Sequence, residues 1–321
     1  MSDKKLLVST KSLSVRFPLK KESAFGRRRY VHAVNDVSID IYKGETFGLV
    51  GESGCGKSTL ANATLGFVKP ASGEVFFDGQ EIGSSGKAVL KTARLKMQKI
   101  FQNPAASLVP RYTVFKAVCE PLKIRGGYTV TEQKKEVSSV LERVGLSSSD
   151  MSRGVTEFSG GQQQRIAIAR ALILKPEYLV CDEPVSALDV SVHAQILNLL
   201  VSLQEQLGIT YLFISHNLAA VRKLCSTLAI MYSGQIVEYG SAERIFASPA
   251  HPYTKALISA VLSLDKSNER IVLKGDAASP VDVPEGCIFA PRCPKREDKC
   301  NTAECRLTQI EEDHFCACPY M

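Results

Sequence analysis

Gly51-Glu52-Ser53-Gly54-Cys55-Gly56-Lys57-Ser58 fits the pattern G-x-x-x-x-G-K-[ST] in full. Glycines at this density let several backbone N–H groups turn toward a single anion. The flanks fit as well: Thr46-Phe47-Gly48-Leu49-Val50 reads as a short apolar strand, and good helix formers run from Lys57 to about Gly66. Strand, glycine loop and helix in that order place the positive end of a helix dipole at the loop. Lys57 can then reach β- and γ-phosphates, and the Ser58 hydroxyl, with Thr59 beside it, can face Mg²⁺. A chance glycine turn would lack these flanks. The stretch predicts an ATP and Mg²⁺ site.

Further along, Tyr178-Leu179-Val180-Cys181-Asp182-Glu183 is an apolar run ending in two carboxylates. Asp182 is placed to hold Mg²⁺ through water, and Glu183 to orient and deprotonate an attacking water. Around it helix and strand alternate: helix at 161–174, strand at 178–182, helix at 191–207, strand at 210–215, helix at 217–224 and strand at 227–232. That order predicts a mostly parallel sheet covered on both faces. Upstream, Val37, Ile39 and Ile41 alternate with polar neighbours as a half-buried strand does, and 73–77 reads as strand before an Asp78-Gly79 turn. Between about 103 and 158 the text changes to proline-containing loops and amphipathic helix, with Val137, Val140, Leu141 and Val144 at helical spacing and Gly145 as a stop. A last helix near 252–263 leads into a tail rich in proline and cysteine.

The 321 residues are 45% apolar and 23% charged, within the range of ordinary globular proteins. No run approaches the roughly 18 apolar residues of a membrane span, and the N-terminal residues do not resemble a signal peptide. The expectation is a cytoplasmic chain whose membrane association comes through a partner. The net charge of +7 is spread along the sequence, with its densest cluster at Lys20, Lys21 and Arg27-Arg28-Arg29. This reads as a solvated loop or a segment near anionic lipid more than as a nucleic-acid surface.

Phe158-Ser159-Gly160-Gly161-Gln162-Gln163-Gln164-Arg165 resembles the signature motif of ATP-binding cassette (ABC) ATPases, with Phe158 where the usual form has leucine. A serine and two glycines at a helix start form a second anion-binding terminus. Gln102 resembles the family's glutamine that meets Mg²⁺ and senses the transporter. Ser186-Ala187-Leu188-Asp189 resembles the loop that contacts the other subunit, and His216 the histidine at the γ-phosphate. For the adenine, Phe17 aligns best with the family's stacking aromatic, and Tyr30 is the alternative.

The resemblance implies a P-loop, RecA-like α/β core with an antiparallel β subdomain and a helical subdomain at about 103–160, all within an ABC nucleotide-binding domain at 1–250. It further implies two subunits paired head to tail, so that Ser159, Gly160, Gly161 and Gln162 of one cover the ATP held by Gly51, Ser53, Gly54, Cys55, Gly56, Lys57 and Ser58 of the other. Glu183, His216 and Gln102 are the implied catalytic residues, and Ser58, Gln102 and Asp182 the implied Mg²⁺ ligands. Within the family, Ala105-Ala106-Ser107-Leu108-Val109-Pro110-Arg111, the run Cys181 to Val192 and His251-Pro252-Tyr253-Thr254-Lys255-Ala256-Leu257 resemble the oligopeptide/dipeptide importer ATPases. Gly161-Gln162 and Val185-Ser186 resemble the second ATPase of such heterodimers. Implied partners are a homologous ATPase subunit, two transmembrane permeases and an extracytoplasmic solute-binding protein, with no nucleic acid. Implied solutes are di- and oligopeptides, with nickel or metal chelates as the neighbouring alternative. A soluble ABC ATPase acting on nucleic acid or ribosomes is the rival from another class; such proteins usually carry two cassettes or a long coiled coil, and neither is present.

Ten cysteines are unevenly placed, and Cys287, Cys293, Cys300, Cys305, Cys316 and Cys318 crowd into the extension at 251–321. In a cytosolic chain such crowding suggests metal ligation more than disulfides. Cys287, Cys293, Cys300 and Cys318 match a set that, in the resembled subfamily, implies a four-iron–four-sulfur site. Zinc and unligated thiols are the alternatives, and Cys305 and Cys316 blur the identity of the fourth ligand.

Overall fold

The computed structural model describes residues 5–19, 28–260, 271–318 and 320. Lys20, Lys21 and Arg27 of the basic cluster, and the end of the helix expected near 252–263, lie outside them. The chain forms two compact units, the first from Met1–Lys5, Tyr42–Glu45 and Gly86–Ile214, the second from Leu6–Ile41, Thr46–Ser85 and Ser215–Met321.

In the first unit the strands Met97–Ile100, Tyr178–Asp182 and Thr210–Ile214 lie side by side, all parallel. Every residue of the last two is buried. That is the continuous apolar texture of a parallel sheet covered on both faces. Two of the expected helices are Gly160–Leu172 and Val190–Leu207. The former stops short of 174 because Lys175 enters a left-handed turn (φ 56°) ahead of Pro176. Helices Val114–Arg125 and Val130–Arg143 fill the region read as amphipathic. The second opens with a Thr129–Glu132 capping box and buries Val137, Val140 and Leu141; Gly145 ends the turn at φ 73°. Arg170 reaches Glu120 at 2.8 Å, tying the Gly160–Leu172 helix to Val114–Arg125.

The second unit holds an antiparallel sheet in the order Tyr30–Tyr42, Leu6–Pro18, Ser72–Phe77, Gln80–Glu81. Along the first of these Val37, Ile39 and Ile41 are buried and Ser38 and Asp40 exposed, the alternation read from the sequence. Its other sheet runs Thr46–Val50, Thr227–Tyr232, Gln235–Ser241, His314–Cys316, Thr308–Glu311, parallel at the first pairing and antiparallel thereafter. The last two strands form a hairpin from the C-terminal tail, absent from the sequence reading. Glu238 and His314 pin it: their side chains meet at 2.7 Å with both residues almost fully buried. The remaining acceptor capacity of Glu238 is met by the N–H groups of Ala250 and His251, each at 2.8 Å. Tyr232 meets both Tyr253 and Phe289 edge-on, while Tyr253 and Phe289 are tilted to each other, with ring centroids 4.8 to 5.5 Å apart and all three residues buried. Such pairs add to the burial of large rings, so the extension is packed against the strand that ends at Tyr232.

Candidate functional site

The phosphate loop leaves the fully buried strand Thr46–Val50 and enters the helix Lys57–Thr64. Gly56 shows why the sequence needs glycine there. Its φ is 109°, and a Cβ would strike the carbonyl oxygen of Ala33. Gly51 is equally confined, against the carbonyl of Met231 and the sulfur of Cys55. No side chain caps the helix at Gly56, which leaves its first N–H groups to an anion. Ser53, Gly54 and Ser58 are exposed at the mouth of the loop and Thr59 half-buried, whereas Cys55 and Lys57 are buried. Lys57 folds back over the loop and donates to the carbonyls of Gly51 (2.9 Å) and Glu52 (2.8 Å). Burial raises the Cys55 thiol, with Lys57 opposing; the thiol stays protonated.

Two features of this loop had no signal in the sequence pattern. The Glu52 N–H donates to the Tyr253 hydroxyl at 2.9 Å, and the Glu52 carboxylate receives Arg292 at 2.7 Å. Both partners come from the region 251–321. Elsewhere in the same unit, Phe17 (42% exposed) and Tyr30 (38% exposed) stand at strand ends joined by the Leu19 N–H to Arg29 carbonyl bond. Either ring offers an open π-face. His216 is exposed, one residue ahead of Asn217, whose side chain caps the helix Leu218–Leu224.

In the first unit, Gln102 and Glu183 meet: the Gln102 amide donates to the Glu183 carboxylate at 2.8 Å. Glu183 sits at φ 48°, a left-handed angle that costs a non-glycine residue of order 1 kcal/mol. Its N–H to the Ile214 carbonyl and its carbonyl to the Ser186 N–H hold it there. Asp182 is paired with Lys99 at 2.8 Å, the side chains 10% and 6% exposed. Lys99 had not been singled out as a site residue; beside the half-buried Gln98, its side chain is covered only once the sheet forms. Ser159 caps its helix, accepting from the Gln162 N–H while the Gln162 side chain accepts from the Ser159 N–H. Phe158 is buried under the Arg153 guanidinium at 4.3 Å, so an aromatic fills the place of the usual leucine. A Cβ on Gly161 would come within 2.6 Å of Val192, and Asp189 is exposed just ahead of that helix.

The tail cysteines separate into two groups. Cys287, Cys293, Cys300 and Cys318 line one cavity of about 70 Å³, beside His251, Lys255 and Phe289. Cys305, then burial in the opposite sense, then His251 and the Phe289 N–H act on the Cys287 thiol, and the net effect is to lower it. Cys316 is instead a fully buried hairpin residue opposite Glu238, its thiol pushed up to about 12 by burial. Among the described residues no group of three or more His, Cys, Asp or Glu is gathered tightly enough for a single metal ion.

Residues 34–186 match the family model described as ABC transporter, and residues 237–300 that described as oligopeptide/dipeptide transporter, C-terminal region. Fold and motifs together define an ABC-type ATPase, which uses ATP with Mg²⁺. The chain is 43% identical over 324 residues to the oligopeptide transport ATP-binding protein OppF of Haemophilus influenzae, covering 99% of this chain and 98% of that one. It belongs to the ABC transporter ATP-binding proteins that carry the oligopeptide/dipeptide transporter C-terminal region. The oligopeptide transport ATP-binding protein AppF of Bacillus subtilis is 45% identical over 293 residues, covering 90% and 89%. Among solved structures, the ATP-binding cassette MJ0796, a dimer bound to ADP and Pi, is similar with a TM-score of 0.65 and 28% identity over 74% of this chain and 99% of that one.

Proposed function

We propose that this ATPase drives the uptake of di- and oligopeptides through two membrane permease subunits supplied by a solute-binding protein, at the cytoplasmic face of the membrane. The observation that carries this reading is the end-to-end likeness to a protein named for oligopeptide transport, the C-terminal region included. Among the described residues no helix is long and apolar enough to cross a membrane, so the pathway for the solute belongs to other subunits. The division of labour is a cassette at 1–250, its helical part at about 103–160 facing the permeases, and an extension at 251–321. Nickel or a metal chelate is the alternative cargo.

In this reading Lys57 leaves the Gly51 and Glu52 carbonyls for the phosphates of ATP, and the uncapped Gly56 helix start receives them. Ser58, Asp182 and Gln102 are hard oxygen donors suited to Mg²⁺, which offsets phosphate charge. Glu183 takes the proton of the attacking water, with Gln102 holding its carboxylate, and His216 faces the γ-phosphate. Phe17 or Tyr30 stacks on adenine. Ser159, Gly160, Gly161, Gln162 and Asp189 act on the nucleotide of a second, homologous ATPase subunit. The Glu183→Gln variant should bind ATP normally and lose about two orders of magnitude or more in turnover, as removal of a general base does. Near-normal hydrolysis would remove Glu183 from that role.

For the extension, we infer that Cys287, Cys293, Cys300 and Cys318 hold a four-iron–four-sulfur cluster. Thiolates suit iron–sulfur and zinc alike, but zinc needs its sulfurs about 2.3 Å from one point. Four cysteines spaced around a cavity fit the larger inorganic core better. Iron and zinc analysis of anaerobically purified protein decides between them; stoichiometric zinc without iron would sink the cluster.

A further inference from the structure

The nucleotide site of this chain is built in part from its extension. Glu52, the second residue of the phosphate loop, is gripped by three side chains, besides the Cys55 N–H that its carbonyl accepts at 3.3 Å. Its carbonyl accepts Lys57 at 2.8 Å, its N–H donates to the Tyr253 hydroxyl at 2.9 Å, and its carboxylate accepts Arg292 at 2.7 Å. The first grip must open when Lys57 turns to phosphate. The other two come from outside the loop and need not change.

They are also rigidly founded. Tyr253 is fully buried, packed edge-on against Tyr232 and tilted against Phe289. The Arg292 side chain is only 10% exposed, its guanidinium 6.0 Å from the Tyr232 ring centre, and it ends a short helical turn, Ala290–Arg292, that begins right after Phe289. Tyr232 closes the strand whose neighbour Met231 walls in Gly51 and Gly56. The Glu52 side chain is 34% exposed, so the pair is half-buried, and a charge-assisted hydrogen bond there is still stronger than a neutral one.

We infer that Arg292 and Tyr253 are positioning residues for ATP: they hold the Glu52 end of the phosphate loop in its anion-binding shape after Lys57 has left it, so that the extension sets nucleotide affinity. The inference rests on Gly51–Ser58 being the nucleotide site.

The test is nucleotide titration of the purified full chain, with steady-state hydrolysis in the assembled transporter. Arg292→Ala should weaken ATP binding about tenfold, the scale of one charge-assisted hydrogen bond. KM should rise accordingly, with kcat changed less than about twofold because Arg292 touches no reacting atom. Arg292→Lys should recover part of the loss. Tyr253→Phe, which keeps the buried ring and removes only the acceptor, should cost about threefold to fivefold. Glu52→Gln should weaken binding like Arg292→Ala, and the double variant no further, as a shared contact requires. Affinities within about twofold of wild type for a folded Arg292→Ala, or losses that simply add in the double variant, would overturn the inference. A wild-type chain that bound no ATP would instead overturn the reading of the loop itself.

Discussion

At the scale of single residues, the two carboxylates at the end of the Tyr178–Asp182 strand are tightly held. Glu183 is kept at a left-handed backbone angle beside Asp182, whose carboxylate is buried against Lys99. Removing one partner of a buried ion pair costs more than the pair contributes, because a charge is left without water or counter-charge. Lys99→Met should therefore destabilise the nucleotide-free protein by about 3 kcal/mol or more. Mg²⁺ with ATP, which binds only the folded state, should recover part of that. Urea denaturation with and without Mg²⁺-ATP checks both statements; an unchanged midpoint would mean that the Lys99–Asp182 pair contributes no net stability. The phosphate-loop glycines, Asp182 and Glu183 could be picked out as candidates from the sequence, because the spacing of such a loop and of a strand-end acid is local. Lys99, Tyr253 and Arg292 were not. Each acts through a partner far along the chain, and a lysine in Gln98-Lys99 reads as solvated until the sheet buries it.

At the scale of elements, the start of the signature helix is fixed by volume as much as by chemistry. Gly161 lies so close to Val192 that alanine there must displace the Val192 side chain or the helices Gly160–Leu172 and Val190–Leu207 that carry the two residues. Gly161→Ala should lower both stability and turnover, by about 1–3 kcal/mol for the overpacking. Val192→Ala in the same chain should restore most of the stability; failure to do so would locate the cost elsewhere. A second junction is electrostatic. Glu177 bridges Lys43 at 3.0 Å and Lys96 at 2.9 Å, and these hydrogen bonds, Lys96 first, hold its carboxyl below the ordinary 4.5. A depressed folded-state value stabilises above the unfolded-state value and is lost as pH falls through the folded one. Wild type should thus lose stability on acidification below about pH 4.5 more steeply than Glu177→Gln, and the two should converge in acid. Parallel slopes through that range would show the bridge to be idle. The alternating helices and strands from 160 to 232 were readable because each carries its own apolar period. The tail hairpin was not: Thr308–Glu311 and His314–Cys316 are too short to show a period, and Glu238 and His314, which anchor it, are paired across 76 positions.

At the scale of the whole molecule, one chain presents surface that an isolated ATPase would have no reason to keep. Ser159 and Gly160 stand exposed at a helix start, Asp189 is exposed, and Val190 beside it is 82% exposed. Ser159 already satisfies the Gln162 N–H, so the cap needs no further partner from its own chain. This surface is open in the single chain, and a partner brought from outside would cover it; the similar cassette MJ0796, 28% identical, is itself dimeric with ADP and Pi. If a second subunit's phosphate loop is that partner, the chain alone should hydrolyse ATP slowly, with a rate per subunit that rises with protein concentration or on adding the homologous ATPase. Glu183→Gln with ATP should accumulate as a dimer, because binding favours the closed pair and hydrolysis no longer reopens it. Val190→Asp should weaken that dimer while leaving ATP binding to the single chain within about twofold, since a charge buried in an interface without a partner is costly and the phosphate loop lies elsewhere in the sequence. Light scattering of the Glu183→Gln protein, with and without ATP and in both Val190 backgrounds, measures this directly. A monomer at every ATP concentration, both alone and mixed with the homologous subunit, would mean that the exposed signature serves some other surface.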